Sequence, residues 1–304
     1  MNLTMKCGML FAVLFSDLAL SQGLLTIDEQ LAANEMAVEQ LRDGLYVFYF
    51  NSGGNVVASI GEQGVLIVDD HFTPSVPKYQ ARIRELGGGD IDFAINTHWH
   101  YDHTEGNQIL GPQGTWIVSH ANSRQMMTRA NLINVVIRPS VNQPAYETAA
   151  LPVATFEDRM GLHFNGEQID LLHFGPAHTT GDAAVIFRES NVVHLGDVYN
   201  NSGYPFIDAD NGGELDGVIQ FCEAVLLEID AETIVVPGHG RISTYADLRD
   251  YVTMLKAIRE RVAALIAQGA SLEEVIAARP TAQWDDLKGD PTRLLDRAYA
   301  SLSR

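Results

Sequence analysis

The most restrictive feature of the chain is a dense group of metal-ligand residue types at the end of an apolar stretch. Three histidines and one aspartate fall within six positions, directly after the strand-like run 91–96: His98, His100, Asp102 and His103. Imidazole and carboxylate groups are the usual nitrogen and oxygen ligands of zinc. The group therefore predicts a metal site at the end of a strand.

The net charge narrows the range of partners. The 304 residues carry 39 acidic and 20 basic side chains, which gives a formal net charge of −19. A surface this acidic repels phosphate groups, so it argues against nucleic acid and against an anionic membrane as partners. With 46% hydrophobic residues, the chain has the composition of an ordinary globular protein. These features favour a small-molecule partner, and they carry no signal for an oligomeric state.

The first 21 residues have the pattern of a signal peptide. Lys6 supplies a positive charge, residues 7–15 form an apolar run, and residues 19–21 form a cleavage site with a small residue at each end. A poorly started N-terminus is the other interpretation of this segment. The pattern over 1–21 predicts export, to the periplasm or out of the cell. No other run reaches the roughly 18 apolar residues that a membrane-spanning helix needs.

The first half of the chain is rich in strand patterns. Residues 25–43 mix polar and apolar side chains without a break, and they predict a surface helix. Three apolar runs within residues 45–68 are joined by glycine-containing turns, which predicts antiparallel strands. A helix over 76–86 and a strand over 91–96 are predicted next. The early strands are too closely spaced for the helical crossovers of a parallel fold.

The second half of the chain repeats this order. A helix is predicted over 121–137 and an irregular proline-rich stretch over 139–152, and strands and helices follow, with helices at the C-terminal end. No change in composition marks a linker. The pattern therefore predicts a single α+β domain over residues 22–304. Its two sheets would pack face to face with helices outside them, as a four-layer αββα sandwich.

Three later segments place single ligand-type residues in loops that follow predicted strands. Each loop begins after an apolar run and contains small residues or proline before the ligand type: His178, Asp197 and His239. Side chains gathered at strand ends are a common arrangement for enzyme sites on sheet scaffolds. We therefore group these three residues with the cluster at 98–103.

The complete ordered set resembles the metal signature of the metallo-β-lactamase superfamily. The resemblance covers about residues 45–260, and all seven expected ligand positions are filled in order. It implies an αββα sandwich with a site for two Zn²⁺ ions per chain along one edge. In that pattern the first zinc is held by His98, His100 and His178, the second by Asp102, His103 and His239, and Asp197 bridges both.

The resemblance also implies a reaction. A hydroxide that bridges the two zinc ions attacks the carbonyl of a small acyl substrate, and Asp102 helps to orient that hydroxide. Asn211 stands where similar lactamases often carry an asparagine that polarises the carbonyl, although a turn asparagine is the other interpretation. The implied activity is that of a β-lactamase-like hydrolase, which opens a cyclic amide or ester.

Two departures from the best-known zinc β-lactamases keep other activities open. Those enzymes typically have a cysteine ligand and, three residues later, a lysine that grips the substrate carboxylate, whereas this chain has Asp197 and Asn200. A bridging aspartate is more similar to the glyoxalase II and lactonase branches, so a lactonase or thioesterase is the alternative. A mononuclear iron oxidoreductase is the third hypothesis, since the same first-site ligands can hold iron.

The loops over the site are expected to set the specificity. These loops are predicted at residues 52–55, 138–152 and 199–213. Tyr199 and Tyr204 lie in or beside the last of them and are candidates for the pocket wall.

Other polar residues near predicted strand ends have two interpretations. Asp69 and Asp70 close a predicted strand, and they are candidates for hydrogen bonds that orient a ligand histidine, or else ordinary turn residues. The isolated histidines are predicted to be structural: His71, His120, His163, His173 and His194.

Overall fold

The computed structural model describes residues 34–304, so the signal peptide predicted over 1–21 lies outside the described residues. Within that range the chain forms strands that we number in the order of the sequence. They are β1 (Met36–Arg42), β2 (Leu45–Phe50), β3 (Val56–Gly61), β4 (Gly64–Val68), β5 (Ile91–Asn96), β6 (Trp116–His120), β7 (Asn131–Ile133), β8 (Val141–Gln143), β9 (Ala154–Phe156), β10 (Arg159–Phe164), β11 (Glu167–Leu172), β12 (Ala184–Phe187), β13 (Val192–His194), β14 (Ile234–Val236) and β15 (Ser243–Thr244).

The described residues also form helices on both sides of the strands. They are α1 (Val76–Glu85), α2 (Tyr101–Thr104), α3 (Asn107–Gln113), α4 (Ala121–Met127), α5 (Leu215–Glu228), α6 (Tyr245–Ala267), α7 (Leu272–Ala277), α8 (Asp285–Lys288) and α9 (Thr292–Leu302). The longest, α6, begins with a capping box, in which Thr244 and Asp247 each accept a hydrogen bond from the other's backbone N–H. Among residues 34–304, none of the helices is both long and apolar enough to cross a bilayer.

The strands form two main sheets and one separate hairpin. The first sheet has the order β1-β2-β3-β4-β5-β6-β9, and the second has the order β10-β11-β12-β13-β14-β15. Strands β1 to β4 pair antiparallel, as the closely spaced strand patterns predict. Parallel pairs join β4 to β5, β5 to β6 and β6 to β9, and another joins β13 to β14. Strands β7 and β8 make the hairpin.

The two sheets pack face to face. Leu66 and Ile95 of the first sheet share one buried cluster with Val185 and Phe187 of the second. The outer face of the first sheet packs against α1 and α3, and the outer face of the second packs against α5, α6 and α9. Burial of apolar surface between these layers is the main stabilising contribution. The arrangement confirms the predicted four-layer αββα sandwich.

Two of the predicted helices differ from the structure. The described part of the helix predicted over 25–43 is strand β1, so that prediction was wrong. Its residues Met, Ala, Glu, Gln, Leu and Arg favour helix by propensity, but pairing with β2 along the whole strand outweighs that preference.

The helix predicted over 121–137 is shorter than expected. It ends at Met127, and the chain then enters the β7–β8 hairpin. The side chain of Asn131 donates to the carbonyls of Met126 and Arg129 at 2.8 and 2.9 Å. Asparagine competes in this way with the helical hydrogen bonds of the backbone, which ends the helix.

The packing between the sheets generates a prediction about stability. Phe187 is fully buried between them, so Phe187→Ala should lower the free energy of unfolding by about 3–5 kcal/mol. Leu227→Ala is the control, because Leu227 is 89% exposed and should change the value by less than about 0.5 kcal/mol. Urea denaturation followed by circular dichroism measures both. Equal stabilities of the two variants would contradict the packing of this layer.

Candidate metal centre

The ligand-type residues meet at one edge of the sandwich. Strand β5 of the first sheet ends at Asn96, and the loop after it carries His98 and His100 before α2 begins at Tyr101. Loops of the second sheet, which follow β11, β13 and β14, carry the other three ligand types: His178, Asp197 and His239. The site is therefore built from both sheets.

Three histidines form a first cluster. Ring nitrogens of His98, His100 and His178 lie within 4.8 Å of one another, and all three side chains are buried. The Nε2 atom of His98 has no hydrogen-bond partner. Burial lowers the pKa of His98 well below its usual value, and it lowers the pKa of His178 to about 4. These two rings are therefore neutral at pH 7, which is the form that binds a metal.

The second cluster combines a carboxylate with two histidines. Ligand atoms of Asp102, His103 and His239 also lie within 4.8 Å of one another. The Nε2 atom of His239 is 3.3 Å from Asp102 Oδ2 and 3.3 Å from His103 Nε2. His103 is buried, whereas the side chains of Asp102 and His239 are 20% and 22% exposed. This cluster therefore faces the solvent.

Asp197 lies between the two clusters. Its Oδ2 atom is 3.8 Å from Nε2 of His178 in the first cluster. Its Oδ1 atom is 3.2 Å from Nε2 of His103 and 3.2 Å from Nε2 of His239 in the second. One carboxylate oxygen therefore faces each cluster, which is the arrangement that a shared ligand needs.

In the first cluster, the rings of His100 and His178 each have one outer nitrogen that is hydrogen-bonded away from the cluster and one inner nitrogen that faces the other ring. This arrangement suits a cation between the inner nitrogens. His100 Nε2 lies 2.9 Å from Oδ2 of Asp208, and His178 Nδ1 lies 2.8 Å from the Phe206 carbonyl oxygen. In neutral rings these outer nitrogens donate, so the inner nitrogens present lone pairs to each other across 2.9 Å. A cation that both lone pairs bind removes this repulsion. The residues of the first cluster therefore fit a metal ion.

Charge in the second cluster leads to the same conclusion. Burial would lower the pKa of His239, but the carboxylates of Asp197 and Asp102 outweigh it and raise the pKa to about 10. Burial would raise the pKa of Asp197, but His239 and His103 hold it well below its usual value. Two ionised carboxylates thus attract positive charge here, which a divalent metal can supply in place of protons.

Asp69 fixes the orientation of His103. Its Oδ2 atom accepts from His103 Nδ1 at 2.7 Å and from the Thr97 hydroxyl at 2.8 Å, and its Oδ1 atom accepts from the Thr97 backbone N–H at 2.7 Å. This matches the expectation that a strand-end aspartate orients a ligand histidine. Asp70 instead accepts from the side-chain amide of Asn96 at 2.9 Å.

Asp208 orients His100 in the same way, and it was not among the predicted site residues. It is buried, and its carboxylate accepts from the imidazole of His100. The available signal was an acidic residue in a loop before a helix. Because 108 positions separate Asp208 from His100, no local spacing linked the two residues.

A cleft of about 940 Å³ opens over the second cluster. Asp102, Asp197 and His239 lie in it, together with the neutral side chain of Asn200. Its walls include residues of all three loops that were expected to set the specificity, within 52–53, 138–141 and 200–206, and also Asn51, Ile133 and Val135, which lie outside those predicted loops.

Asn211 lies outside the lining of this cleft. Its side-chain amide donates to both carboxylate oxygens of Asp208, at 3.0 and 2.9 Å, and to the Leu132 carbonyl at 3.0 Å. In this structure Asn211 therefore holds Asp208 in place. Its contact with a substrate carbonyl stays a prediction.

The two candidate tyrosines are directed into packed structure. The hydroxyl of Tyr199 lies 2.7 Å from the hydroxyl of Ser243, and the hydroxyl of Tyr204 donates to Asp285 at 3.0 Å. Neither ring is among the residues that line the cleft.

Four of the five isolated histidines make structural contacts, whereas His163 is exposed on β10. His71 lies with Nε2 2.7 Å from the Ser52 carbonyl oxygen, and it supports a loop at the cleft. The rings of His120 and His173 stack on each other with centroids 3.9 Å apart. His194 accepts a backbone N–H through Nδ1.

Comparison with known protein sequences gives a family match and two relatives. The sequence model of the metallo-beta-lactamase superfamily matches residues 52–245. Hydroxyacylglutathione hydrolase from Rhodospirillum rubrum is 25% identical over 230 residues, which cover 74% of this chain and 77% of that protein. The alpha subunit of 2,4-dinitroanisole O-demethylase from Nocardioides sp. (strain JS1661) is 26% identical over 140 residues, or 45% of this chain. The match spans only 38% of the length of that subunit.

Solved structures of metallo-beta-lactamases share the fold. The DIM-1 metallo-beta-lactamase aligns with a TM-score of 0.58 at 19% identity, over 73% of this chain and 97% of that one. A metallo-beta-lactamase from Pontibacter korlensis aligns with a TM-score of 0.59 at 14% identity, over 73% of this chain and 99% of that one. At these identities the likeness concerns the fold alone.

Asp69→Asn tests whether the hydrogen bond to His103 supports the metal site. Asn tolerates the left-handed backbone of this position, where φ is 59°, so the fold should be kept. Loss of the carboxylate removes the charged acceptor of His103, and metal affinity of the second cluster should fall roughly 10–100-fold. A competition titration with a chromogenic chelator measures it. Asp170→Asn is the control, because Asp170 pairs with Arg188 in the second sheet. Equal affinities for the two variants would contradict this role of Asp69.

Proposed function

Because this chain belongs to the metallo-beta-lactamase superfamily, we propose that it is a zinc-dependent hydrolase that opens a cyclic amide or ester in a small acyl substrate. The observation that carries this proposal is the position of Asp197, with one carboxylate oxygen facing each ligand cluster. A shared ligand of this kind supports two metal ions side by side. The open cleft over the second cluster supports access for a small molecule.

Each cluster would hold one zinc ion. The first ion would be bound by the three buried histidines of the first cluster, and the second by the more exposed second cluster, with Asp197 bound to both. Zinc supplies two kinds of chemistry in such a site, because it lowers the pKa of a bound water and polarises a carbonyl group. The ligands nearest the solvent are Asp102 and His239, so the substrate would approach from their side.

Asp102 is the side chain of this chain that would orient the attacking water. Burial would raise the pKa of Asp102, but His103 and His239 outweigh it and lower the pKa, which keeps the carboxylate ionised. In the proposed reaction the water oxygen bonds to the carbonyl carbon, and the ring C–N or C–O bond breaks. Asp102 would accept a hydrogen bond from the water and hold its oxygen toward the carbonyl carbon, and the proton released from the water would reach the leaving nitrogen or oxygen through solvent in the open cleft.

A thioesterase is the second candidate. It is favoured by the Rhodospirillum rubrum relative, which is named a hydroxyacylglutathione hydrolase and is matched over 77% of its length. The same attack on a carbonyl carbon would break a C–S bond in place of a C–N or C–O bond. The site residues would keep their roles, and the cleft walls would decide between the substrates.

Metal analysis combined with a hydrolysis screen tests the proposal. We expect about two zinc ions per chain, and turnover of at least one cyclic substrate among nitrocefin, a carbapenem and a panel of lactones. The chelator-treated protein is the control. Turnover of thioesters alone would favour the second candidate. One iron per chain with no hydrolysis would overturn the proposal and favour an iron oxidoreductase.

Asp102→Asn tests the role assigned to this carboxylate. The amide is close in shape to the carboxylate but has no negative charge to hold the second metal ion or to orient the water, so turnover should fall about 100-fold or more. Asp90→Asn is the matched control, because Asp90 is exposed and its substitution changes the net charge by the same amount. Circular dichroism and metal content of both variants are measured beside the rate. An unchanged rate in Asp102→Asn would contradict the role of this carboxylate.

A further inference from the structure

Two arginines line the cleft, although the chain as a whole is strongly acidic. Arg293 comes from α9, and Arg138 comes from the segment between β7 and β8. Among residues 34–304, neither has a carboxylate within ion-pair distance. Of the other arginines among residues 34–304, seven form ion pairs with acidic side chains and seven do not, so the feature that sets Arg138 and Arg293 apart is their place in the lining of this cleft.

Arg293 is held at the cleft by neutral contacts. Its guanidinium carbon is 5.6 Å from the centre of the Phe206 ring, and Nη2 lies 3.5 Å from the Tyr204 carbonyl oxygen. One turn later on the same helix, Arg297 pairs with Asp210 at 2.7 Å. Helix α9 therefore carries two arginines in different settings: Arg297 is paired with a carboxylate, and Arg293 faces the cleft without one.

The charges of Arg138 and Arg293 act on each other within the cleft. Burial lowers the pKa of Arg293, and the positive charge of Arg138 lowers it further, while Asp197 and Asp102 raise it. Two like charges that share one cleft repel each other unless an anion lies near both. Asp197 and Asp102 lie in the same cleft and belong to the ligand clusters described above, but neither is within ion-pair distance of either arginine.

Apolar side chains also line the cleft. They are Phe72, Ile133, Val135, Val141 and Phe206. A ligand that fills this cleft would place an apolar body against these side chains. Its charged end would then meet the arginines.

We propose that Arg138 and Arg293 together bind a carboxylate of the substrate, so that the enzyme acts on acyl compounds with an apolar body and one carboxylate. The proposal rests on the hydrolase function proposed above. Arginine presents a planar fork of N–H donors that matches a carboxylate. Arg293 on α9 lies outside the family match at residues 52–245, whereas Arg138 lies within it.

A binding experiment on the zinc-loaded protein tests the proposal without any need for turnover. The probes are 2-benzyl-3-mercaptopropionate and its methyl ester, which share a thiol for the metal and an apolar ring but differ in the charge of the carboxyl group. We expect the acid to bind at least about tenfold more tightly than the ester in isothermal titration calorimetry. Arg293→Gln and Arg138→Gln should each weaken binding of the acid roughly tenfold or more and leave binding of the ester within about twofold.

Two further variants separate a binding role from a structural or general charge effect. Arg293→Lys keeps the positive charge and should restore part of the preference for the acid. Arg249→Gln makes the same change in net charge at an exposed residue that pairs with Asp250, and it should leave both affinities unchanged. Circular dichroism and zinc content check the fold of each variant.

The outcomes distinguish this proposal from the proposed function. Equal affinities of the unaltered protein for acid and ester, or no binding of either, would overturn carboxylate recognition even if hydrolysis is found. An equal loss in Arg249→Gln and Arg293→Gln would also overturn it, because the effect would then come from net charge alone. A clear preference for the acid that both cleft variants abolish would support it, even if every substrate in the hydrolysis screen fails.

Discussion

Face-to-face packing of the two sheets holds the candidate metal-binding side chains together, because neither sheet supplies a complete set. The loop after β5 brings residues 98–103 from the first sheet, and loops of the second sheet bring His178, Asp197 and His239. Ile95 and Val236 precede these loops on opposite sheets, and both are buried in the shared cluster between them. A shift of one sheet against the other would separate His103 from His239, whose ring nitrogens are 3.3 Å apart. The geometry of the site is therefore a property of the core.

The features that depend on local pattern could be predicted from the sequence. Histidine and aspartate residues after apolar strand patterns predicted the candidate ligands, and the order of apolar segments predicted two sheets with helices outside them. The β1 strand was missed, because its residues favour helix and only pairing with β2 makes them a strand. The β7–β8 hairpin was missed for a similar reason, since Asn131 ends α4 through hydrogen bonds that no periodicity reveals.

Contacts between distant segments were beyond the reach of the sequence. Asp208 orients His100 across 108 positions, and nothing in the spacing of either residue indicates the other. Arg138 and Arg293 are ordinary surface-type residues in the sequence, and only the fold brings α9 beside the β7–β8 segment at one cleft. Asn200 stands where the best-known zinc β-lactamases carry a lysine, so the positive charge expected at that position is missing. The structure supplies positive charge from two other elements, which a search at the expected position would not find.

The turn after β4 links the candidate metal ligands to the cleft wall. Asp69 and His71 both adopt left-handed backbone conformations, with φ of 59° and 61°, which cost about 1–3 kcal/mol each in residues other than glycine. Three hydrogen bonds to the carboxylate hold Asp69 toward His103, and His71 donates to the Ser52 carbonyl while its ring packs 4.0 Å from that of Phe50. On a regular extended backbone these two side chains would point to the same face, whereas in the turn they contact different segments, His103 and Ser52. The strain is therefore the cost of a turn that holds a candidate metal ligand on one side and the cleft loop at 51–53 on the other, so the candidate metal site and the cleft wall share one support.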